Sequence, residues 1–205
     1  MSKVKLTKGE LKKQRDALRQ YLRYLPTLQL KKQQLQMEIL RQLALFEEKE
    51  HYESIKRKAI EAWAGLLTDP GIDISRWVVP KRIVTGLKNI AGADIPIFEQ
   101  VEFEAEEYDL FLIPLWVDQG IEMLRQLVSI KEEIAVIKKG IEILRRELRV
   151  TAQRVNLFEK VKIPQAEEDI RLIKIYIGDQ MANAVGRSKA AKRKIEMAFV
   201  QEAIK

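Results

Sequence analysis

The C-terminal half of the chain carries one long seam of mostly apolar positions. Ten of them follow steps of three and four residues: Leu127, Ile130, Ile134, Ile137, Ile141, Leu144, Leu148, Thr151, Val155 and Phe158. A mean spacing of 3.5 residues keeps one face of a helix against a partner helix and imposes left-handed supercoiling. Past Pro164 the pattern returns at Ile170, Ile173, Ile177, Met181 and Ala184. The spacing therefore predicts a long coiled-coil helix.

A second apolar stripe predicts an N-terminal helix. Thr7-Lys8-Gly9-Glu10 has the pattern of a capping box, which marks a helix start. Steps of three, four or seven residues then link Leu11, Leu18, Leu22, Leu25, Leu28, Leu35, Ile39, Leu43 and Phe46. Pro26 lies inside this stripe and removes one backbone hydrogen bond, so we expect a kink there, with a true break as the alternative. The stripe weakens toward Ala64, and an Asp-Pro-Gly turn at 69–71 ends it.

The segment between the two stripes has the residue pattern of β structure. In IPIFEQVEF, residues 95–103, apolar positions alternate with a period of two, which is typical of a strand. RIVTGLKNI, residues 82–90, is a plausible partner strand, and AGAD, residues 91–94, is the expected turn. Tryptophans flank this region at Trp63, Trp77 and Trp116. We expect a β-hairpin with a small aromatic core where the helices meet it.

These elements predict a mainly α fold. The N- and C-terminal helices are expected to form a long antiparallel left-handed two-helix coiled coil, with a small β-hairpin inserted in the middle. The expected segments are an N-terminal helix over 1–67, the insert over 68–112 and a C-terminal helix over 113–205, within one elongated domain. The second helix is the longer one, so its end is expected to project beyond the first.

Charge is distributed unevenly along the chain. The net charge is +7, with 46% hydrophobic and 33% charged residues. Residues 1–32 carry ten Lys and Arg against two acidic residues, and residues 186–205 carry six against two, so the middle is acidic. Folding back would bring both basic ends together and polarise the molecule. The absence of cysteine excludes disulfides and thiolate metal sites, and a cytoplasmic protein is the simplest expectation.

The sequence lacks the side chains that most catalytic sites need. His51 is the only histidine and lies in a charged helical stretch, where a solvated side chain is expected. The acidic run Glu102, Glu104, Glu106, Glu107 and Asp109 lacks the tight glycine turn of a calcium loop. There is no GxxxxGK[ST] and no GxGxxG. We therefore expect no catalytic residue, no metal and no cofactor.

Three segments of this sequence resemble one family. Arg154, Val155, Asn156 and Glu159, followed by Ile163-Pro164, match the Arg-Val-Asn-x-x-Glu segment and the later Ile-Pro of the D subunit of rotary V-type and archaeal-type ATPases. LQLKKQQLQMEI, residues 28–39, resembles that family's N-terminal Leu-Leu-Lys-x-Lys segment, with Lys31 in the matching place. NIAGADIPIFE, residues 89–99, resembles its central strand. Gln153, Leu157-Phe158 and Pro26 differ from the usual residues, which indicates a divergent member.

The resemblance implies a non-catalytic central rotor shaft that carries torque between the catalytic hexamer and the membrane ring. Such a protein is a monomer in its complex, peripheral to the membrane on the cytoplasmic side. It contacts the catalytic A and B subunits, the F subunit and the C or d subunit above the ring, and it binds neither nucleotide nor nucleic acid. Two alternatives stay open: a free-standing coiled-coil adaptor, and a coiled coil that binds nucleic acid through its basic tip.

By the same resemblance, eight residues are expected to contact partner subunits. They are Lys31, Arg154, Asn156 and Glu159 in the matched segments and Arg187, Lys189, Lys192 and Arg193 in the basic tail. Within the Arg-Val-Asn segment we expect Val155 and Phe158 to stay in the seam, while Arg154, Asn156 and Glu159 decorate its flanks.

Overall fold

A computed structural model describes residues 4–68, 74–105 and 114–203, with side chains described as far as Met197. The elements are helix α1 (Lys8–Glu61), a 3₁₀ turn (Ala64–Thr68), a short helix α2 (Ser75–Val78), strands β1 (Pro80–Ile90) and β2 (Ala93–Phe103), helix α3 (Trp116–Leu157), a π-helical turn (Phe158–Lys162) and helix α4 (Ile163–Ala203). The predicted fold class is confirmed: two long helical segments enclose one antiparallel hairpin. The Asp-Pro-Gly turn and the acidic positions Glu106, Glu107 and Asp109 lie outside the described residues.

The chain divides into two compact units. The central unit is Leu30–Ala152, and the terminal unit combines Met1–Gln29 with Gln153–Lys205. No helix in the described ranges is both long enough and apolar enough to cross a membrane.

Helix α1 begins where its sequence predicts. The Thr7 hydroxyl accepts a hydrogen bond from the Glu10 amide at 3.2 Å, which satisfies one free donor of the first turn. The helix then runs through Pro26 without a break as far as Glu61, so the alternative of a true break at Pro26 is wrong.

In the central unit, α1 and α3 lie antiparallel. Lys49 Nζ is 2.8 Å from a Glu133 carboxylate oxygen. Later in α1, Lys56 Nζ donates to Gln126 Oε1 at 3.1 Å, so rising numbers in one helix meet falling numbers in the other. The predicted seam is buried between them, with no exposed surface at Leu144.

In the terminal unit, α1 packs against the later helical segment. The Tyr21 and Phe158 rings lie 5.3 Å apart, and Val155 is 4% exposed, which confirms both predicted seam positions in the Arg-Val-Asn segment. Three predicted seam positions are wrong: Leu22 and Met181 are 51% and 52% exposed, and Ala184 is exposed as well. Tyr21 replaces Leu22 because it also continues the three- and four-residue steps, and its ring reaches Phe158.

A π-helical turn over Phe158–Lys162 shifts the seam by one residue. If three- and four-residue steps continued beyond Phe158, positions 165, 169 and 172 would be buried. The buried residues are instead Ala166, Ile170 and Ile173, each one position later, while Leu172 is 46% exposed. A π turn inserts one residue into a helix, which accounts for this displacement. The Ile163 amide bonds to the Phe158 carbonyl, five residues back.

The hairpin forms at the predicted place with a tighter turn than expected. Ile90 pairs with Ala93, so only Ala91 and Gly92 form the loop. Both have positive φ, 50° and 79°, as the two-residue turns that fit the twist of a hairpin require. The Asn89 side chain stabilises the turn, because its oxygen accepts from the Gly92 amide and its nitrogen donates to Asp94.

Candidate interaction surfaces

The hairpin tip is anchored on the central unit by an apolar cluster. The buried members of this cluster are Leu35, Ile39, Ala93, Ile95 and Leu144. Gly140 on α3 faces this cluster, and a Cβ there would lie at ordinary contact distance, 3.8 Å from Ile95 Cβ and 3.9 Å from the Pro96 carbonyl oxygen. Burial is concentrated at the tip, so the remaining length of β1 is left largely exposed.

Lys31 lies beside the same tip. Its ammonium group is 3.8 Å from a Glu147 carboxylate oxygen and 3.7 Å from the place that a Cβ on Gly92 would occupy. The Lys31 side chain is 30% exposed. In this chain Lys31 therefore bridges α1, α3 and the hairpin turn, and its remaining exposed surface is what a partner could contact.

A second apolar cluster surrounds the tryptophans, as predicted. Trp77 packs with Ile74, Val117 and Ile121 in this cluster. The rings of Trp63 and Trp116 are 6.2 Å apart and meet over Gly120, where a Cβ would lie 3.4 Å from Trp63. The three tryptophans serve as core side chains around the start of α3.

Arg125 is a residue that sequence reasoning missed. Its guanidinium donates to the backbone carbonyls of Trp77 at 2.8 Å and Glu104 at 2.6 Å, and it lies 5.1 Å from the centre of the Phe103 ring. It therefore ties α3 to α2 and to the end of β2. Arginine is suited to this because its planar fork can donate in several directions at once. An arginine two positions from the seam, in a segment that faces a hairpin, was the only signal in the sequence.

The Arg-Val-Asn segment presents three polar side chains to solvent. Arg154, Asn156 and Glu159 are all exposed, and none of their side chains has a hydrogen bond or ion pair to another described residue. They flank the buried Val155, as expected. Because the π turn begins at Phe158, Glu159 lies on the widened turn and Arg154 on the last α-helical turn before it.

The basic tail is exposed on all sides as far as its side chains are described. Arg187, Lys189, Lys192 and Arg193 are exposed. Of these, only Lys192 has an ion-pair partner among the described residues, Glu196 on its own helix at 3.8 Å. The tail is thus a single helix with a positive surface.

One carboxyl group in the terminal unit has a shifted pKa. Arg171 donates two hydrogen bonds to Glu168, at 2.7 and 2.8 Å, and this lowers the pKa of the Glu168 carboxyl and raises the pKa of Arg171. Both groups are fully exposed, so solvent screens their interaction and its effect on stability is small.

The described residues contain no group of three or more His, Asp or Glu side chains placed to hold a metal ion. His51 lies exposed on α1, as predicted.

Comparison with known proteins shows the family to which the chain belongs. The family model for the D subunit of ATP synthase matches residues 10–193. The D subunit of a V-type ATP synthase from Borreliella burgdorferi is 47% identical over 94% of this chain and 95% of its own length. Proteins of the same name from Chlamydia pneumoniae and Chlamydia trachomatis serovar L2 are 34% and 31% identical, over 95% of this chain and 94% and 97% of their own lengths. The chain belongs to the family of ATP synthase D subunits and is part of a V-type ATPase complex.

Proposed function

We propose that this chain is the non-catalytic central-stalk component of its complex, the shaft that carries torque between ATP turnover in the catalytic hexamer and ion movement through the membrane ring. The observation that carries the proposal is the antiparallel pairing of α1 with the returning helical segment in each unit. In the central unit this pairing is bridged by the contacts of Lys49 with Glu133 and of Lys56 with Gln126. In the terminal unit Tyr21 meets Phe158.

Paired helices suit a shaft for a mechanical reason. A single helix bends and twists easily, whereas two helices that interlock along a seam must slide or unpack before either one can rotate. The seam of α3 is apolar and buried within the chain, at Leu127, Ile137 and Ile141 for example. Because this chain supplies both helices, no second copy is needed, and we propose a monomer in the complex.

Each exposed surface of the chain is matched to a partner subunit. We propose that the basic tail and the start of α1 meet the catalytic A and B subunits. Lys31 and the exposed side chains of the Arg-Val-Asn segment are proposed to meet neighbouring subunits, the F subunit and the C or d subunit above the ring among them. The chain acts beside the membrane on the cytoplasmic side, as part of the complex.

Truncation of the tail tests the proposal. The chain is co-expressed with the other components and the complex is reconstituted into vesicles with and without residues 186–205. We expect the truncated chain to assemble. Ion transport per ATP hydrolysed should fall severalfold, because the contacts between the basic tail and the catalytic hexamer are lost. Unchanged transport per ATP, or a full-length chain that never joins the complex, would contradict the proposal.

A charge variant separates the tail surface from tail length. Arg187, Lys189, Lys192 and Arg193 are replaced together by Gln. The matched control replaces four exposed basic residues of α3 by Gln: Lys131, Lys139, Arg145 and Arg146. We expect the tail variant to lower coupling and the control to leave it near the wild-type value. Equal effects would show that overall charge matters rather than the tail surface.

A further inference from the structure

We propose that the free edge of β1 accepts an extended, acidic segment of another protein of the complex as a third strand. This requires only that the chain is part of the complex, and not that it turns as a shaft. The free edge is defined here as the backbone of Ile83, Thr85, Leu87 and Asn89 on the side away from β2.

The register determines which backbone groups point away from β2. Ile90 and Ala93 close a two-residue turn, so they form a hydrogen-bonded pair. Bonded and non-bonded pairs alternate along an antiparallel ladder, so Lys88 with Ile95 is bonded and Leu87 with Pro96 is not. The amide and carbonyl of Leu87 therefore point outward.

The opposite edge of the hairpin is closed. Pro96 has no amide hydrogen and removes a donor from the outer side of β2, the one side on which a strand tolerates proline. Its carbonyl oxygen faces α3, at 3.9 Å from the place of a Cβ on Gly140. A further strand could not add on this side without displacing α3.

Among the described residues, no helix or strand covers the free edge of β1 in this way. Leu87 is 78% exposed and Ile83 is 38% exposed, and Thr85 lies between them on the same edge. Within β1, proline occurs only at its first residue, Pro80, where it does not block pairing along the edge. Eleven residues form this strand, which is longer than the usual length of a protein strand. Edges of this kind readily pair with another chain unless something covers them.

The exposed positive charges of β1 indicate what kind of segment covers the free edge. Lys81, Arg82 and Lys88 are exposed on β1, and neither Lys81 nor Lys88 makes an ion pair with a described residue. A second copy of this chain would bring the same cations to the same edge, and like charges on paired strands repel. A strand that alternates apolar and acidic residues would instead cover Leu87 and neutralise the lysines. Strand addition of this kind takes its affinity from main-chain hydrogen bonds.

Amide exchange in the assembled complex tests the proposal directly. Residue-resolved hydrogen exchange is measured for the isolated chain and for the co-expressed complex. We expect the outward amides of Leu87 and Asn89 to slow by about tenfold or more on assembly, because an amide that gains a hydrogen bond must open before it exchanges. The Lys88 amide is already bonded to β2 and should change much less. This alternation distinguishes a third strand from general coverage.

Two variants separate backbone pairing from side-chain contact. Leu87→Pro removes an outward donor and no bond of the β1–β2 ladder, in the position directly opposite Pro96, and it also replaces the leucine side chain. Leu87→Thr keeps the donor and shortens the apolar side chain. We expect Leu87→Pro to return the Asn89 amide to its rate in the free chain, and Leu87→Thr to keep most of its protection.

Every outcome bears on the proposal. It is overturned if Leu87 exchanges equally fast in the free chain and in the complex, or if Leu87→Thr abolishes protection as completely as Leu87→Pro. A complex that contains the chain but shows no protection rejects the third strand and leaves the shaft function standing. A chain that never enters the complex overturns both proposals. Protection with unchanged coupling of transport to hydrolysis supports the third strand alone.

Discussion

The central and terminal units are built from the same two helical segments but are held together differently. In the central unit, α1, α3 and the hairpin tip share one apolar cluster, a second cluster joins α2 to the start of α3, and Lys49 pairs with Glu133 across the seam. In the terminal unit every ion pair among the described residues is local to one helix, as in Glu168 with Arg171. Beyond Ile177 the described side chains are all exposed.

The two units therefore differ in how far contacts within the chain stabilise them. The central unit derives its order from contacts within the chain. The terminal unit leaves a long positive helix that packs against none of the other described residues, and such a surface is stabilised when another protein covers it. A difference in function between the units should therefore appear as a difference in how mutations act on each.

The largest effect is expected from the core of the central unit. Leu144 is fully buried against Leu35, Ile39 and Ile95, so Leu144→Ala should lower the free energy of unfolding by about 2–5 kcal/mol through lost burial and the cavity left behind. Urea denaturation followed by circular dichroism measures this. The matched control is Leu172→Ala on α4, where the side chain is 46% exposed and the change should stay within about 0.5 kcal/mol. Similar losses in both variants would break the comparison.

The π turn allows a test in the terminal unit. Lys160 is exposed within the turn. Its deletion would move Ala166, Ile170 and Ile173 back by one position, so that they continue the three- and four-residue steps from Phe158 without interruption. The turn should then become ordinary α-helix. Pro164 would lie in the helix interior, where its ring clashes with the carbonyl four residues before it, at a cost of about 3 kcal/mol. We expect the deletion to destabilise the chain by roughly that amount in urea denaturation.

Two further variants decide whether this explanation is right. Pro164→Ala combined with the Lys160 deletion should recover most of the loss, because both the seam and the backbone bonds are then regular. Deletion of Lys139, which is exposed on α3, should cost more than this double variant, since no π turn is present there to absorb the missing residue. If the double variant is as unstable as the single deletion, the π turn itself stabilises the chain and does not merely accommodate Pro164 and the extra residue.

The same seam shows how much of the fold was readable from the sequence. Regular steps from Leu127 to Phe158 specified α3 and its buried face, because the period of apolar residues has one structural solution. The displacement of Ile170 by one residue was also present in the sequence and would have indicated an inserted residue between it and Phe158. Leu22 misled because it, like Tyr21, lies three or four residues from Leu18 and Leu25, and leucine is the more apolar of the two.

Other features could not be read from spacing. The ties of Arg125 to the carbonyls of Trp77 and Glu104 depend on where two distant segments meet in space. The bridge of Lys31 between Glu147 and the hairpin turn is likewise a product of the fold. The eight predicted partner contacts stay predictions, because their surfaces become meaningful only against a partner.

A glycine in each unit offers a smaller test. Gly140→Ala should raise the free energy of unfolding by about 0.5–1 kcal/mol, because alanine is the better helix former and a Cβ fits beside Ile95 at ordinary contact distance. Gly178→Ala on α4 meets no atom within 4 Å and should gain a similar amount from propensity alone. Urea denaturation measures both. If Gly140→Ala destabilises the chain, α3 and the hairpin are packed more tightly than these distances indicate.

The smallest expected effect concerns the ion pairs, and it addresses the comparison most directly. Lys49 and Glu133 are 2.8 Å apart across the seam with side chains 29% and 22% exposed, whereas Lys192 and Glu196 are 3.8 Å apart on one helix with 78% and 61% exposed. A double-mutant cycle with Lys49→Met and Glu133→Gln should give a coupling energy of about 0.5–1 kcal/mol, and the equivalent cycle on the tail should give close to zero. Raising the salt concentration to about 1 M should remove most of any tail coupling but only part of the seam coupling, because partly buried charges are screened less. Equal couplings that vanish together in salt would mean that the seam charges are as solvated as the tail, and that the apolar clusters alone distinguish the two units.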